Sequence, residues 1–299
     1  MNCISRNRTG SNQTGSGRKV LHMTLLLTTV PAALLALAGC GGGGGSSSKP
    51  VNHLAVKQKA LSAARTTRST LAIAGLVSHV GPSAQAHALK ARATSPGQDA
   101  RTGLYYDLTA NPDGSGSYAL FTDAAHQIPA GSITWAAPQY AGGVTGTYPA
   151  VYHVVYKITA GSYQGNAGTA DVTVKDASGI AELIHEVGKD QAGDNLQSDL
   201  NMDNGQISGT EHDTLSDGST QEGQVSEAAG GDIQEVVTFQ DGSHAVVTEH
   251  PDGSESETLT GSDGEQEAVQ NTQAGGQGDV NFQDGSSDTV TDVNSQSGN

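Results

Sequence analysis

The chain has 299 residues, of which 4% are aromatic and 15% charged, with 40 glycines and a formal charge of −16. So few large apolar side chains leave little to fill the core of a large enzyme, and the acidic balance argues against a nucleic-acid partner, which needs a basic face to neutralise phosphates. Two cysteines, Cys3 and Cys40, cannot build a disulfide framework.

Arg18 and Lys19 precede an uncharged, mostly apolar run from Val20 to Ala38, which ends in Leu37-Ala38-Gly39-Cys40. A basic flank, an apolar stretch and a small-residue cleavage site make a secretory signal. The closing tetrapeptide resembles the lipobox of bacterial lipoproteins. That resemblance implies cleavage before Cys40, a diacylglycerol on its thiol and a further acyl chain on its freed amine. Residues 1–39 would be the signal peptide, and the mature chain would be held at a membrane through Cys40. Several acyl chains bind a bilayer where one chain is only marginal. Gly41 stands where an inner-membrane retention signal would carry aspartate in the familiar Gram-negative pattern, which points to the outer membrane or cell surface.

Gly41–Gly45 and Ser46–Ser48 lack side chains to pack, so residues 40–52 read as a lipidated cysteine and flexible tether. Between Lys49 and Arg101 eight basic residues face the single acid Asp99, whereas residues 190–299 hold 23 acids and no lysine or arginine. Leu54, Leu61, Ala64 and Leu71 fall near one helical stripe, and Gly81-Pro82 ends it. A second helical piece is expected over 84–93. Residues 53–101 therefore read as a basic, alanine-rich helical stalk, either a solvated spacer or an arm lying on anionic lipid headgroups.

From Gly103 the period changes to two. Leu104, Tyr106 and Leu108 alternate with polar residues, Asn111-Pro112-Asp113-Gly114 makes a turn, and Tyr118 and Leu120 resume the pattern. Tyr152, Val154, Tyr156 and Ile158 form one face of another strand, followed by Ala170, Val172 and Val174. All eight tyrosines and Trp135 lie between 105 and 163, so an antiparallel β domain over 102–178 is where a core is expected. Ile180–Val187 reads as a short helix. Over 179–299 Asp-Gly turns recur at 217, 241, 252, 263 and 284, and Phe239-Gln-Asp-Gly-Ser243 returns as Phe282-Gln-Asp-Gly-Ser286, an offset of 43 that fits about four strand-plus-turn units. This predicts acidic β-hairpin repeats in a thin meander with one weakly apolar side, losing order toward the C-terminus as hydrophobicity falls. The fold class is thus mainly β, with a short N-terminal helical segment.

Asp199, Asn201 and Asp203, then Gly205, Ile207 and Glu211, resemble the calcium loop of EF-hand and dockerin-type sequences. On that resemblance Asp199, Asn201, Asp203 and Glu211 would be the metal ligands and calcium the cofactor. One extra residue, Asn204, departs from the pattern, and the alternative is a β-hairpin turning at Asn204-Gly205 with Leu200, Met202 and Ile207 inward. There is no Gly-x-Ser-x-Gly elbow and no phosphate-binding glycine loop. His185-Glu186 begins like a zinc-protease helix, but Lys189 stands where the second histidine would be, leaving a solvated helix-end histidine. No catalytic residue is assigned. The expected role is a non-enzymatic structural, adhesive or ligand-binding module of the bacterial envelope with a protein or glycan partner. Two alternatives stay open: a calcium-dependent binding protein, and an envelope hydrolase whose dispersed carboxylates would meet in a deep pocket within 102–178.

Overall fold

The helix is the centre of the molecule. α1, His53–Val77, starts where the Asn52 side chain accepts a hydrogen bond from the Ala55 backbone N–H at 3.3 Å, a capping role that suits asparagine. The computed structural model describes residues 52–81, 97–99, 101–202, 206–228, 230–273 and 276–290. The signal segment, Cys40, the tether and the helical piece expected over 84–93 lie outside them. From Ala60 to Ala74 every helical residue is buried, and burial over four successive turns requires neighbours on all sides. The helix is therefore not a separate stalk. Residues 48–299 form one compact unit, and Leu61, Ala64 and Leu71 of the expected stripe are buried while Leu54 is exposed.

What surrounds the helix is an antiparallel meander. The first half comprises β1 (Gly97–Gln98), β2 (Tyr105–Ala110), β3 (Gly116–Phe121), β4 (Pro129–Trp135), β5 (Gln139–Tyr140), β6 (Ala150–Ile158), β7 (Ala167–Val174), β8 (Ala181–Lys189) and β9 (Asn195–Asn201). The second comprises β10 (Ser208–Thr214), β11 (Thr220–Glu227), β12 (Ile233–Phe239), β13 (His244–Glu249), β14 (Glu255–Thr260), β15 (Gln266–Thr272), β16 (Gly278–Phe282) and β17 (Ser287–Val290). Each strand pairs with the next, except that β4 and β5 both pair with β6. They are two parts of one course interrupted near Pro138, which has no N–H to give a ladder. The sheet is continuous through β8–β9 and β9–β10, so the aromatic and acidic regions are one sheet.

Alternation decides which face is inside. Tyr118, Leu120, Ile133, Trp135, Tyr152, Val154, Tyr156, Ile158, Ala170, Val172 and Val174 point inward, as the period of two predicts. They pack with Leu71–Val77 at the helix end, and with Val80 just beyond it, into one core. A second core, which the composition did not suggest, joins Val56, Leu61, Ala63 and Ala64 to Val237, Phe239, Ala245, Val247, Leu259, Ala268, Val280, Phe282 and Val290. The acidic strands thus have an apolar lining of their own, and strand order continues to Val290.

The Asp-Gly turns follow one rule. At Asp217, Asp241, Asp252 and Asp284 the carboxylate accepts from the backbone N–H and the hydroxyl of the serine two residues on, at 2.6–3.1 Å. The glycine between sits at φ between 79° and 88°, which glycine adopts without the steric cost of a Cβ. Asp-Gly-Ser is therefore a self-contained hairpin closure. The offset of 43 carries the chain from the β12–β13 turn to the β16–β17 turn, four strands later.

Two sequence expectations are overturned. The segment expected as a helix over 180–187 is instead strand from Ala181 onward, in β8; Glu186 and Gly188 take inward positions beside Ile184 and hide the period of two. His185 is accordingly a mid-strand residue on the outer face.

Candidate functional site: an end cavity and a buried carboxyl cluster

Three layers follow one another along α1. In the first turns the repeated Phe-x-Asp-Gly-Ser unit grips the helix twice. Lys59 Nζ lies 5.7 Å from the centre of the Phe239 ring, 2.5 Å from Asp241 and 2.9 Å from Ser243 Oγ. One repeat later the His53 ring stacks on Phe282 at 4.4 Å and meets Asp284 at 2.7 Å. Lys57 adds a 2.7 Å contact to Asp288. Hydrogen bonds from Lys59 and Ser243 hold the Asp241 carboxyl down at about 2, and those from Ser286, with His53 adding to them, do the same for Asp284. Of the basic residues expected to face lipid headgroups, Lys57, Lys59, Arg65, Arg68 and Arg101 are engaged within the domain, and the others lie outside the described residues.

Beside this grip a cavity of about 570 Å³ opens between the helix and the tips of the β10–β11 and β12–β13 hairpins, a size suited to a small ligand. Ala55, Leu61, Leu215 and Phe239 supply apolar wall. Gln58, Ser62, Ser216, Ser219, Thr220 and Gln240 supply hydrogen-bonding groups. Its charges are largely engaged: Lys59 with Asp241, and Arg65 with Asp194. The Asp217 carboxylate, bonded to Ser219, is held below the usual range by that hydroxyl and its backbone N–H.

Deeper, the helix turns polar and buried. Arg65 donates from Nε to Asp190 at 2.8 Å and from a terminal nitrogen to Asp194. Arg68 donates to Glu255 and, at 3.1 Å, to the Thr272 hydroxyl. Past these pairs the strands turn further acids inward: Glu186, Glu211, Asp213, Glu235 and Glu257 are all buried. Glu211 and Glu235 face one another over Gly223, where a Cβ would stand 1.8 Å from a Glu235 carboxyl oxygen and 2.9 Å from Glu211 Cβ. Glycine here makes room for the carboxyl pair. Burial, then the proximity of Glu235 and Asp213, pushes Glu211 far above the ordinary carboxylate range. Burial pushes Glu186 to about 8, against the bond it accepts from the Tyr156 hydroxyl at 2.5 Å. Burial lifts Asp213 to about 7 despite the Gln221 amide, and Glu257 well above its usual range. Burial thus shifts this cluster toward its protonated form, because ionised carboxylates without partners are costly in a dry interior.

The residues of the calcium-loop resemblance are not brought together. Asp199 and Asn201 lie on the outer face of β9, where His185 donates to Asp199 at 2.7 Å. Glu211 points inward from β10, opposite Ser198. Asp203 lies outside the described residues. Leu200 and Ile207 are buried and Met202 packs against the core, the hairpin alternative. Strand alternation separates Asp199 and Glu211 because they stand on opposite sheet faces, and no group of three potential metal ligands gathers among the described residues. The hydrolase alternative would need a deep pocket within 102–178; the aromatic end has a cavity of about 10 Å³ beside Asp99, Tyr106 and Tyr118. The Glu211–Glu235 carboxyl pair lies elsewhere and is enclosed, on β10 and β12. Sequence reading missed the cavity, the double grip and the carboxyl pair. The repeat at 239 and 282 was the one visible signal, and its partners on the helix could not be read from spacing.

No protein-family model matches this chain, and a comparison with curated proteins finds no relative. Among the described residues no helix is long and apolar enough to cross a membrane.

Proposed function

We propose that this chain is a lipid-anchored bacterial envelope protein that binds a small polar ligand non-enzymatically in the cavity between α1 and the β10–β13 hairpin tips. The cavity carries this reading: about 570 Å³, lined by the apolar Ala55, Leu61, Leu215 and Phe239 together with serine, threonine and glutamine groups. Such a lining suits a hydroxylated molecule, as pockets combine apolar surface with a few placed polar groups. The anchor rests on the Leu37–Cys40 signal, and its placement at the outer membrane or cell surface on Gly41.

Mass spectrometry of the protein released gently from membranes tests the binding. A retained small molecule that is lost from a Ser216→Trp variant supports it; an empty wild-type protein with no thermal shift across a panel of mono- and oligosaccharides overturns it. Cys40→Ser tests the anchor, and should move the protein from the membrane to the soluble fraction.

A further inference from the structure

The outer face of β6–β9 carries an ordered row that neither the cavity nor the anchor uses. Register places His153, Asp171, His185 and Asp199 side by side on four successive strands. His153 Nδ1 donates to Asp171 at 2.8 Å and His185 Nδ1 to Asp199 at 2.7 Å, with all four side chains between 45% and 63% exposed. Val155, Leu183 and Val187 on the same face are each nearly half exposed.

We infer that this face is the docking surface for a second copy of the same chain, joined about a two-fold axis parallel to the strands between β7 and β8. The row reads His-Asp-His-Asp, and its reverse reads Asp-His-Asp-His. Rotation about that axis lays the row on its own reverse, so His153 meets the partner's Asp199 and Asp171 meets the partner's His185. A protonated imidazole has an N–H at both nitrogens: Nδ1 serves the neighbour in its own chain and Nε2 the carboxylate opposite. The alternative axis, along the row, would set each histidine on its own copy and is disfavoured by like charge.

The flanking rows agree. Thr169 and Val187 are cross-strand partners, as are Thr173 and Leu183, so the same rotation puts each exposed apolar residue of β8 on a threonine methyl of β7. Lys157 would face the partner's Asn195, and Lys189 its Ala167, so no lysine meets another. Both copies then point the same way along their strands, an arrangement compatible with, and resting on, the shared bilayer anchor proposed above. Four strands about 4.8 Å apart and about 25 Å long offer roughly 400–500 Å² per copy, the lower end for specific association. The dimer is weak and favoured by confinement to a surface.

A charge exchange tests it. Full-length wild type, His185→Asp, Asp171→His and an equal mixture of the two variants are compared by density-matched sedimentation in detergent under one mildly acidic buffer. Each variant alone puts like groups opposite one another twice, and should associate about tenfold more weakly. The mixture restores a His–Asp pair at every position and should recover wild-type affinity as a heterodimer. A monomeric wild type, variants that associate like wild type, or a mixture no tighter than its components would each overturn the proposal.

Discussion

Strands β2–β9 and β10–β17 line the same helix with different chemistry. The first set fills space: Tyr118, Trp135, Tyr152 and Tyr156 are buried around Leu71–Val77, with the Tyr118 ring 4.9 Å from Tyr106 and 5.2 Å from Trp135. The second set has Val, Ala, Leu259 and two Phe for volume, and turns Asp213, Glu235 and Glu255 toward Thr66, Thr67 and Arg68, while Asp190 and Asp194 of the turn between β8 and β9 meet Arg65. An aromatic core needs only shape, because dispersion and burial are not directional. A carboxylate lining needs a cation or a proton for each acid, so its stability depends on partner and pH. The helix is written to match, polar from Ser62 to Thr70 and apolar from Leu71.

The two largest expected losses separate these modes. Tyr152→Ala opens a cavity in the aromatic half and should cost about 3–5 kcal/mol. Arg65→Ala strands Asp190 and Asp194 inside the protein and should cost a similar 3–5 kcal/mol. Adding Asp190→Asn and Asp194→Asn to Arg65→Ala should restore much of the loss, whereas no polar change should rescue Tyr152→Ala. Urea-denaturation midpoints measure all three, and an unrescued Arg65 variant would mean that the arginine acts chiefly by packing.

The pH profile should follow the buried carboxyl cluster, made of Glu186 from β8 and the inward acids of β10–β17. Glu186, Asp213 and Glu255 are raised to about 8, 7 and 7, chiefly by burial, and burial also lifts Glu211 and Glu257 well above the usual carboxylate range. Such groups keep protons in the fold that the unfolded chain releases above its ordinary carboxylate pKa, near 4. Between about pH 4 and pH 8 the unfolded state binds fewer protons, so stability falls as pH rises. The lowered pKa values of Asp241 and Asp284 act oppositely, and their stabilisation is lost only as pH falls through about 4 toward 2. The melting temperature should be higher at pH 5 than at pH 8. Glu211→Gln, which imitates the protonated acid, should flatten that slope and add about 1–2 kcal/mol at pH 8. A melting temperature that climbs from pH 5 to pH 8 would show that the cluster is hydrated and ionised.

The sequence disclosed the aromatic half well and the acidic half only in outline. Tyr152, Val154, Tyr156 and Ile158 announce their face because apolar residues alternate with polar ones. In β8 and β10 the inward positions hold Glu186, Glu211 and Asp213, so a strand with one buried face reads as polar throughout. The helix at 53–77 was legible, but its burial was not: Arg65 and Arg68 look like surface residues until acids more than a hundred positions away close around them. The cavity is formed by a helix and hairpin tips distant in sequence, and no local pattern records it.

The smallest effect should come from the repeated grip, and it bears on whether the acidic half holds the helix as one piece. Lys59 is paired in partly exposed surroundings, its side chain 28% and that of Asp241 54% accessible, so Lys59→Ala should cost about 0.5–1 kcal/mol. His53→Ala should cost less, since its contacts lie at the first turn and its loss leaves Phe282 in the second core. Were the two grips independent, the double variant would equal the sum within about 0.3–0.5 kcal/mol. The strands between them, β13–β16, share one ladder and one row of buried residues, so slack at either Phe-x-Asp-Gly-Ser unit is passed to the other. The double variant should therefore lose more than the sum, and hydrogen exchange should quicken across β13–β17 while β6–β8 keep their protection. Strict additivity with unchanged exchange would reduce the repeat to two unrelated turns that each happen to touch the helix.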